Sequence, residues 1–206
     1  IAMNVSSNLL VAMKGQISQD STATDAPASQ NHTSTTAANA YVRPIMAAYL
    51  DRLEEGLGAR GLTAPVFMLL SNGGLCRLDT AKAFPVRLVE SGPAGGAVFA
   101  GEIARALGEE EVLAFDMGGT TAKICLIDGG VPRRSDSFEM ARQHMHRQGS
   151  GLPARIPVTD LVEIGSGGGS IAHIDAMSRL HVGPESAGAT PGPACYGRGG
   201  GQPTVT

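Results

Sequence analysis

The chain has 206 residues, of which 42% are hydrophobic and 17% charged, and its formal net charge is -3. This composition indicates a globular protein of one large or two small domains. The weak negative charge excludes a broad basic surface for nucleic acid or membranes. Aromatic residues make up only 4% and Trp is absent, which argues against a platform that stacks bases. We therefore expect neither nucleic acid nor a membrane as a partner.

The three cysteines, Cys76, Cys125 and Cys195, are far apart and form no C-x-x-C pair. An odd, scattered set argues against a disulfide framework or a thiolate metal site and indicates reduced thiols in a cytoplasmic protein. No apolar run approaches the roughly 18 residues that a membrane span needs. The chain begins at Ile1 and stops at "GQPTVT" without an obvious terminal element, so we expect it to be a piece of a longer protein.

The N-terminal segment, residues 1–32, has no clear periodicity, and residues 18–38 are dominated by Ser, Thr and Ala. Such a composition buries little apolar area and predicts a flexible or loosely packed segment. A helix follows, with Pro44 near its start. Its predicted buried stripe repeats every four residues and consists of Tyr41, Ile45, Tyr49, Leu53 and Leu57.

The segment "PVFMLLSNGG" predicts a short buried strand that ends in a glycine-rich turn. A second helix follows in "ESGPAGGAVFAGEIARALG", with Ser91 as N-cap. We expect its buried face to carry Phe99, Ile103 and Leu107. The small residues of its first three turns would let a strand, another helix or a ligand approach closely.

Two strands, "VLAFD" and "TAKICLI", flank a turn at "MGGT". Further strands are expected near Ser137–Met140, Ile171–Ile174 and Leu180–Val182, the last two as a hairpin around "DAMS". Helices interleaved with strands predict a layered α/β domain.

The turn after the first of these strands carries the strongest candidate chemistry. Gly118 and Gly119 permit positive φ and have no Cβ to block a phosphate, and Thr120 and Thr121 add hydroxyl donors. Asp116, at the strand's end, could hold Mg²⁺ directly or through water. The alternative is an ordinary type I′ hairpin with Gly-Gly at its tip, but the preceding acid and the following Thr-Thr exceed what a hairpin needs.

Two further glycine clusters are candidate ligand sites. Gly167, Gly168, Gly169 and Ser170 follow the apolar stretch "DLVEI" and offer bare backbone to a planar or anionic ligand, unless they form a flexible loop.

Gly92 and Gly95 lie at the start of the second helix. Free N–H groups and the helix dipole favour an anion there. Close helix packing explains these two glycines equally well.

For the remaining cysteine and histidine candidates, the sequence favours structural roles over catalysis or metal binding. No His or acid is tied to Cys195 by local sequence, so we interpret it as structural. His144 and His146 would face one side of a strand and suit a metal, but no third ligand is indicated and a solvent-facing basic loop is favoured. His173 and His181 fall on the predicted hairpin as paired neighbours rather than ligands.

Five motifs occur in order: "SNGGL", "ESGPAGG", "FDMGGTTAK", "EIGSGGGSIA" and "VGPESAGATPGPACYGRGG" followed by "PTVT". From about Thr33 to Thr206 the chain resembles the A-type subunit of ATP-dependent hydantoinases, 5-oxoprolinases and acetone-type carboxylases. The resemblance implies an α/β fold: an actin-like (ribonuclease H-like) lobe of the sugar-kinase and actin superfamily, with a mixed sheet and flanking helices. Residues 33–206 would form this domain, with the other lobe absent.

The resemblance also implies a function. ATP and Mg²⁺ would be the cofactors, a lactam or hydantoin the substrate, and a B-type subunit or domain the partner, within an oligomer. The alternatives are a subunit of an ATP-dependent ketone carboxylase and a non-catalytic actin-like nucleotide-binding or assembly module.

Three departures from the family pattern stand out. Residues 1 to about 30 do not match, an earlier D-x-G-G-T motif is not present, and Lys123 stands where many members have an acid. The "TTAK" form and "GSGLP" look like a carboxylase- or N-methylhydantoinase-like subgroup. Lys123 would either contact a phosphate or point to solvent.

Overall fold

The computed structural model describes residues 28–140 and 149–206. The chain divides into two compact units. Among the described residues, the first unit takes those up to Val112 together with Ile127–Asp160, and the second takes Leu113–Leu126 and Leu161–Thr206.

The first unit begins with helix α1, Ala28–Gly58. Residues 28–38, expected to be loosely packed, are therefore helical, and Pro44 lies inside the helix rather than near its start. Tertiary contacts overcome the weak local pattern, since the Thr35 hydroxyl accepts the Arg155 N–H at 2.8 Å. The rest of the predicted N-terminal segment lies outside the described residues.

The buried stripe of α1 is one residue out of phase with the predicted one. Tyr41 and Ile45 are exposed, while Tyr49 and Leu53 are only partly buried against the core. The stripe that faces the core is Ala38, Val42, Met46 and Leu50. Both series repeat every four residues, so periodicity alone did not distinguish them.

Short elements complete the core of this unit. β1 (Phe67–Leu69) pairs antiparallel with β2 (Leu75–Arg77). Helix α2 (Leu78–Ala83) and a 3₁₀ helix (Pro85–Leu88) follow and contact α1. The core joins α1 to residues of these elements and of the later strands: Met68, Leu70, Leu78, Val86, Leu88, Met140, Ile156 and Val158.

Helix α3, Ser91–Leu107, buries its small residues and exposes its large ones. Phe99, Ile103 and Leu107 are 68%, 44% and 71% exposed, so the predicted buried face is wrong. The cause is the close approach of the strands: a Cβ on Gly101 would lie 2.4 Å from the Gly130 carbonyl oxygen. Only the small-residue face fits that spacing.

Five two- or three-residue strands complete the first unit. β5 (Val131–Pro132) pairs with Ile127 and Asp128. The other pairs are β6 (Arg134–Ser135) with β9 (Val158–Thr159) and β7 (Phe138–Met140) with β8 (Leu152–Ala154).

The second unit contains the three-strand order β10-β4-β3. These strands are β3 (Glu111–Met117), β4 (Ala122–Asp128) and β10 (Val162–Ile164). The predicted later hairpin is confirmed as β11 (Ser170–Ile174) and β12 (Leu180–Ser186), and a 3₁₀ turn at Ala194–Tyr196 follows.

The predicted α/β class is confirmed, as a combination of helices with antiparallel sheets. A mixed sheet was expected, but the registered strand pairs of the described residues are antiparallel. Several of these pairs join strands through connections too short for the crossover that parallel strands need.

Candidate functional site

The predicted phosphate hairpin forms between β3 and β4. Asp116 and Met117 end β3, and the N–H of Gly118 donates to the Thr121 carbonyl at 2.9 Å. Residues 116–120 are exposed and Thr121 is half-buried. The tip is therefore open to solvent and is shaped by one cross-turn hydrogen bond.

A second acid-Gly-Gly turn in the same chain shows what an ordinary hairpin looks like. Asp128 pairs directly with Val131 across Gly129 and Gly130, and those glycines have φ of 54° and 74°. Positive φ at both central residues is the type I′ geometry. Gly130 also accepts a hydrogen bond from the Arg105 guanidinium at 2.9 Å, which ties this turn to α3.

The tip at Gly118–Thr121 differs from that turn. Neither Gly118 nor Gly119 is among the residues with positive φ, so the positive φ that glycine permits is not used at either position, and the alternative of a type I′ turn is excluded. Their other predicted property remains. A Cβ on Gly119 would meet nothing within 4 Å, and one on Gly118 would meet only the Thr121 carbonyl oxygen at 3.5 Å. Gly119 thus has open space without a left-handed conformation, whereas Gly129, where a Cβ would also meet nothing within 4 Å, has φ of 54°.

Several polar groups at the tip have no partner within the described residues. The N–H groups of Gly119 and Thr120 donate to no protein acceptor there, and the Asp116 carboxylate takes part in none of the ion pairs recorded for those residues. Adjacent backbone N–H groups of this kind bind anions, and a single carboxylate with phosphate oxygens and water is a common way to hold Mg²⁺. The tip therefore presents the kinds of groups that a phosphate and its metal ion would need.

The glycine cluster packs directly behind this tip. Gly168 N–H donates to the Gly118 carbonyl at 2.9 Å, and Gly169 N–H donates to the Gly119 carbonyl at 2.8 Å. Gly167 N–H donates to the Ser170 hydroxyl at 2.9 Å. All four residues of the cluster are buried. Because these three N–H groups already have acceptors, the cluster does not offer them to a ligand in this conformation, contrary to the interpretation from the sequence.

Gly92 and Gly95 belong to the other compact unit, in the first turns of α3. Glu90 precedes the helix with φ of 62°. A Cβ on Gly95 would lie 2.5 Å from the Leu69 Cδ2 atom of β1, which supports the packing interpretation for this glycine. An anion at this helix end stays a prediction.

Lys123 does not point to solvent. Its side chain is 14% exposed, and its Nζ lies 3.4 Å from Oε1 of Glu163. The two residues are direct cross-strand partners in β4 and β10. Glu163 was not among the predicted site residues; its position between Val162 and Ile164 in a strand places its side chain on the opposite face from theirs.

A polar cluster occupies the turn between β11 and β12. Asp175 accepts the Arg179 backbone N–H at 2.9 Å and the Arg179 Nε–H at 2.8 Å, and its Oδ2 lies 2.8 Å from His181 Nε2. Hydrogen bonds from the Arg179 backbone and then its side chain, with smaller ones from His181 and Met177, lower the pKa of Asp175 to about 2. His173 and His181 are cross-strand partners with stacked rings 5.6 Å apart, as predicted. Local hydrogen bonds thus account for this cluster.

The remaining candidates form no further site. Cys195 is exposed, while His144 and His146 lie outside the described residues. Across residues 28–140 and 149–206, no three His, Cys, Asp or Glu side chains are grouped so as to hold a metal ion. Within the same ranges, no helix has the length and apolarity that a membrane crossing requires.

Known proteins resemble most of the chain. The profile of the hydantoinase/oxoprolinase family matches residues 32–206. An uncharacterized protein of Methanocaldococcus jannaschii is 41% identical, over 84% of this chain and 26% of its own length. The caprolactamase subunit alpha of Pseudomonas jessenii is 40% identical, over 84% of this chain and 24% of its own length.

Two solved structures share the fold. Nucleotide-free acetone carboxylase superposes with a TM-score of 0.65 and 26% identity, covering 84% of this chain and 23% of that one. The ATP-dependent caprolactamase of Pseudomonas jessenii superposes with a TM-score of 0.63 and 37% identity, covering 84% and 24%. The chain thus spans about a quarter of the length of each of these relatives. With a profile match over most of its length, the chain belongs to the hydantoinase/oxoprolinase family.

Proposed function

We propose that this chain is the phosphate-binding part of an ATP-dependent hydrolase that acts on cyclic amides such as a lactam or a hydantoin. The observation that carries the proposal is the tip of the β3–β4 hairpin. Its backbone N–H groups at Gly119 and Thr120 have no acceptor in the described residues, and the space above Gly119 is open. At the turn that follows Asp128, by contrast, the Gly129 N–H donates to the Glu110 carbonyl at 2.8 Å, and a Cβ on Gly130 would lie 2.3 Å from Arg105 Cγ.

Each residue of the tip has a role in this proposal. Gly119 and Thr120 would bind phosphate oxygens through their N–H groups, with the hydroxyls of Thr120 and Thr121 as further donors. Asp116 would hold Mg²⁺ directly or through water. Gly92 and Gly95, at the start of α3, would favour an anion through the positive end of the helix dipole. The fold would be one actin-like lobe, with residues 33–206 as the domain.

The chemistry follows from the family. When bound, ATP supplies a phosphoryl group that activates an otherwise inert amide oxygen. Such transfer depends on positioning and on charge neutralisation from several directions. One hairpin supplies only part of that, so we expect the 206-residue chain alone to bind Mg-ATP but to turn it over slowly or not at all.

A second candidate is a subunit of an ATP-dependent ketone carboxylase. The observation that favours it is the superposition on acetone carboxylase with a TM-score of 0.65. The two candidates share the phosphate hairpin and differ in the acceptor of the phosphoryl group. Turnover assays of the complete complex with a lactam, a hydantoin and a small ketone would separate them.

A B-type subunit or domain is the proposed partner, within an oligomer located in the cytoplasm. The relative from Pseudomonas jessenii is itself named a subunit. Exposed apolar side chains support further contacts: Phe99 and Leu107 on α3 are 68% and 71% exposed, and Leu113 and Phe115 on β3 are both 54% exposed. Copurification of a co-expressed B-type protein, followed by light scattering, tests this.

Calorimetric titration with Mg-ATP tests the nucleotide site. We expect saturable binding that Asp116→Ala weakens by about tenfold or more, in the range for loss of a group that holds a metal ion. Asp128→Ala is the matched control, because it also removes an exposed acid at the end of a strand before Gly-Gly. Equal effects of the two substitutions, or no binding by the wild-type chain, would contradict the proposal. Binding without substrate-stimulated turnover in the complete complex would favour a non-catalytic nucleotide-binding module.

A further inference from the structure

The glycines behind the hairpin tip are placed to set its conformation. A Cβ on Gly167 would lie 2.6 Å from both the Gly118 carbonyl oxygen and the Thr120 nitrogen, and 2.7 Å from the Gly119 carbonyl carbon. Such distances essentially do not occur for real Cβ atoms. The loop at Gly167 therefore touches the backbone of the tip itself, and no side chain fits between them.

Hydrogen bonds hold the two backbones in a fixed register. The carbonyls of Gly118 and Gly119 accept the N–H groups of Gly168 and Gly169. A peptide plane fixes its C=O and the next N–H in opposite directions. Holding the Gly118 carbonyl toward the loop therefore orients the Gly119 N–H away from it, and holding the Gly119 carbonyl does the same for the Thr120 N–H. These are the two donors that have no acceptor among the described residues.

The end of the described chain supports the loop from its other side. Thr206 N–H donates to the Gly168 carbonyl at 2.9 Å, and Val205 N–H donates to the Ser170 carbonyl at 3.2 Å. Ala187 N–H donates to the Gly169 carbonyl at 2.8 Å. The loop is thus hydrogen-bonded on both sides through its backbone, in a buried position.

We propose that Gly167, Gly168 and Gly169 are positioning residues, which hold the hairpin tip so that the Gly119 and Thr120 N–H groups point outward together. They act through the tip and do not contact the ligand. The expected effect on Mg-ATP affinity rests on the proposed function. The expected effect on the conformation of the tip does not.

Three glycine-to-alanine substitutions test the proposal in the 206-residue chain. Gly167→Ala meets tip backbone at 2.6 Å, and Gly169→Ala meets the Gly119 carbonyl oxygen at 2.9 Å. Gly201→Ala is the control, because its Cβ would meet nothing within 4 Å in the same unit and its φ is not positive. Amide ¹H–¹⁵N spectra without nucleotide report the Gly119 and Thr120 N–H groups directly, and calorimetry reports the affinity for Mg-ATP.

We expect the displacement of the two amide signals to rank Gly167→Ala above Gly169→Ala, with Gly201→Ala like the wild type. Mg-ATP affinity should fall in the same order, by about tenfold or more for Gly167→Ala, because small misplacements of binding groups are costly. If Gly167→Ala does not fold, Gly169→Ala against Gly201→Ala decides the question.

The positioning role would be overturned if a folded Gly167→Ala or Gly169→Ala protein showed unmoved amide signals at Gly119 and Thr120. It would also be overturned if those signals moved while the affinity for Mg-ATP stayed unchanged. If the wild-type chain binds no Mg-ATP, the proposed function fails. Displaced tip signals would still support the positioning role in that case, and unmoved signals would still overturn it.

Discussion

The sharpest test of how α3 packs compares two glycines of the same helix. A Cβ on Gly101 would lie 2.4 Å from the Gly130 carbonyl oxygen, 3.3 Å from the carbonyl carbon and 3.6 Å from Pro132 Cδ. A Cβ on Gly96 would meet nothing within 4 Å. Substituting each glycine by alanine therefore makes the same chemical change in two opposite environments.

The two variants are expected to differ in their free energy of unfolding because the gain in helix propensity is the same in both and cancels in the comparison. Replacing a helix-interior glycine by alanine stabilises a helix by roughly 1 kcal/mol, and both variants share this gain. Gly101→Ala also forces a methyl group against backbone that cannot rotate away, and overpacking of this kind costs about 1–3 kcal/mol. The free energies of unfolding of the two variants should thus differ by about 1–3 kcal/mol, with Gly96→Ala more stable than the wild type.

Urea denaturation followed by circular dichroism measures this difference. With an m-value of about 2 kcal/mol/M, a difference of about 2 kcal/mol separates the two midpoints by about 1 M. Midpoints that agree within about 0.2 M, a difference of roughly 0.4 kcal/mol on the same scale, would refute the packing argument. In that case α3 would not rest on the β4–β5 turn through its small-residue face.

Three further predictions test other parts of the structure. Leu50→Ala should destabilise the fold by about 2–5 kcal/mol in urea titrations, since Leu50 is fully buried. Ile45→Ala, on the exposed side of α1, should change the free energy of unfolding by less than about 0.5 kcal/mol. The reverse order would support the buried stripe expected from the sequence. A double-mutant cycle of Lys123→Met and Glu163→Gln should give a coupling free energy of about 0.5–1 kcal/mol, and additive effects would show that the 3.4 Å pair contributes nothing. Asp175 has its pKa lowered to about 2, so its stabilisation of the β11–β12 turn is complete above the unfolded pKa of about 4 and is lost as pH falls toward 2. Amide protection factors in the turn, which are corrected for the intrinsic pH dependence of exchange, should fall over that interval, and Asp175→Asn should remove this fall.

The sequence predicted the two long helices and the longer strands in their order, but not most of the short elements or which helix faces are buried. In α1, Tyr41 and Ile45 repeat with the same spacing as Val42 and Met46. Periodicity identifies a helix with apolar stripes, yet two adjacent stripes are both apolar here, and only packing against the 3₁₀ helix and β8 selects one. The wrong buried stripe was therefore predicted because α1 has two adjacent apolar stripes with the same spacing.

Helix α3 shows a different limit. Large apolar residues are ordinarily the buried ones, so Phe99 and Leu107 were expected in the core. The structure instead buries Ala97 and Gly101, because the Gly130 carbonyl approaches too closely for anything larger. The run of small residues in α3 did predict a close approach to this helix, but it did not identify the neighbour as a strand, a helix or a ligand.

The hairpin that we propose as the phosphate site was predicted from the sequence, but its turn geometry was not. The sequence contains two Asp-x-Gly-Gly or Asp-Gly-Gly turns, and composition alone favours a type I′ hairpin for either. Only the second, at Gly129 and Gly130, uses positive φ. At Gly118 and Gly119 the backbone is one that other residues could adopt, so the absence of a side chain there serves the space in front of the tip rather than the bend of the chain. A hairpin that needs glycine for space must be held in shape by something else, and the loop at Gly167 supplies that support from behind. The two glycine clusters are therefore coupled: under our proposal the front one leaves room for a ligand, while the rear one brings backbone close enough to hold the Gly118 and Gly119 carbonyls.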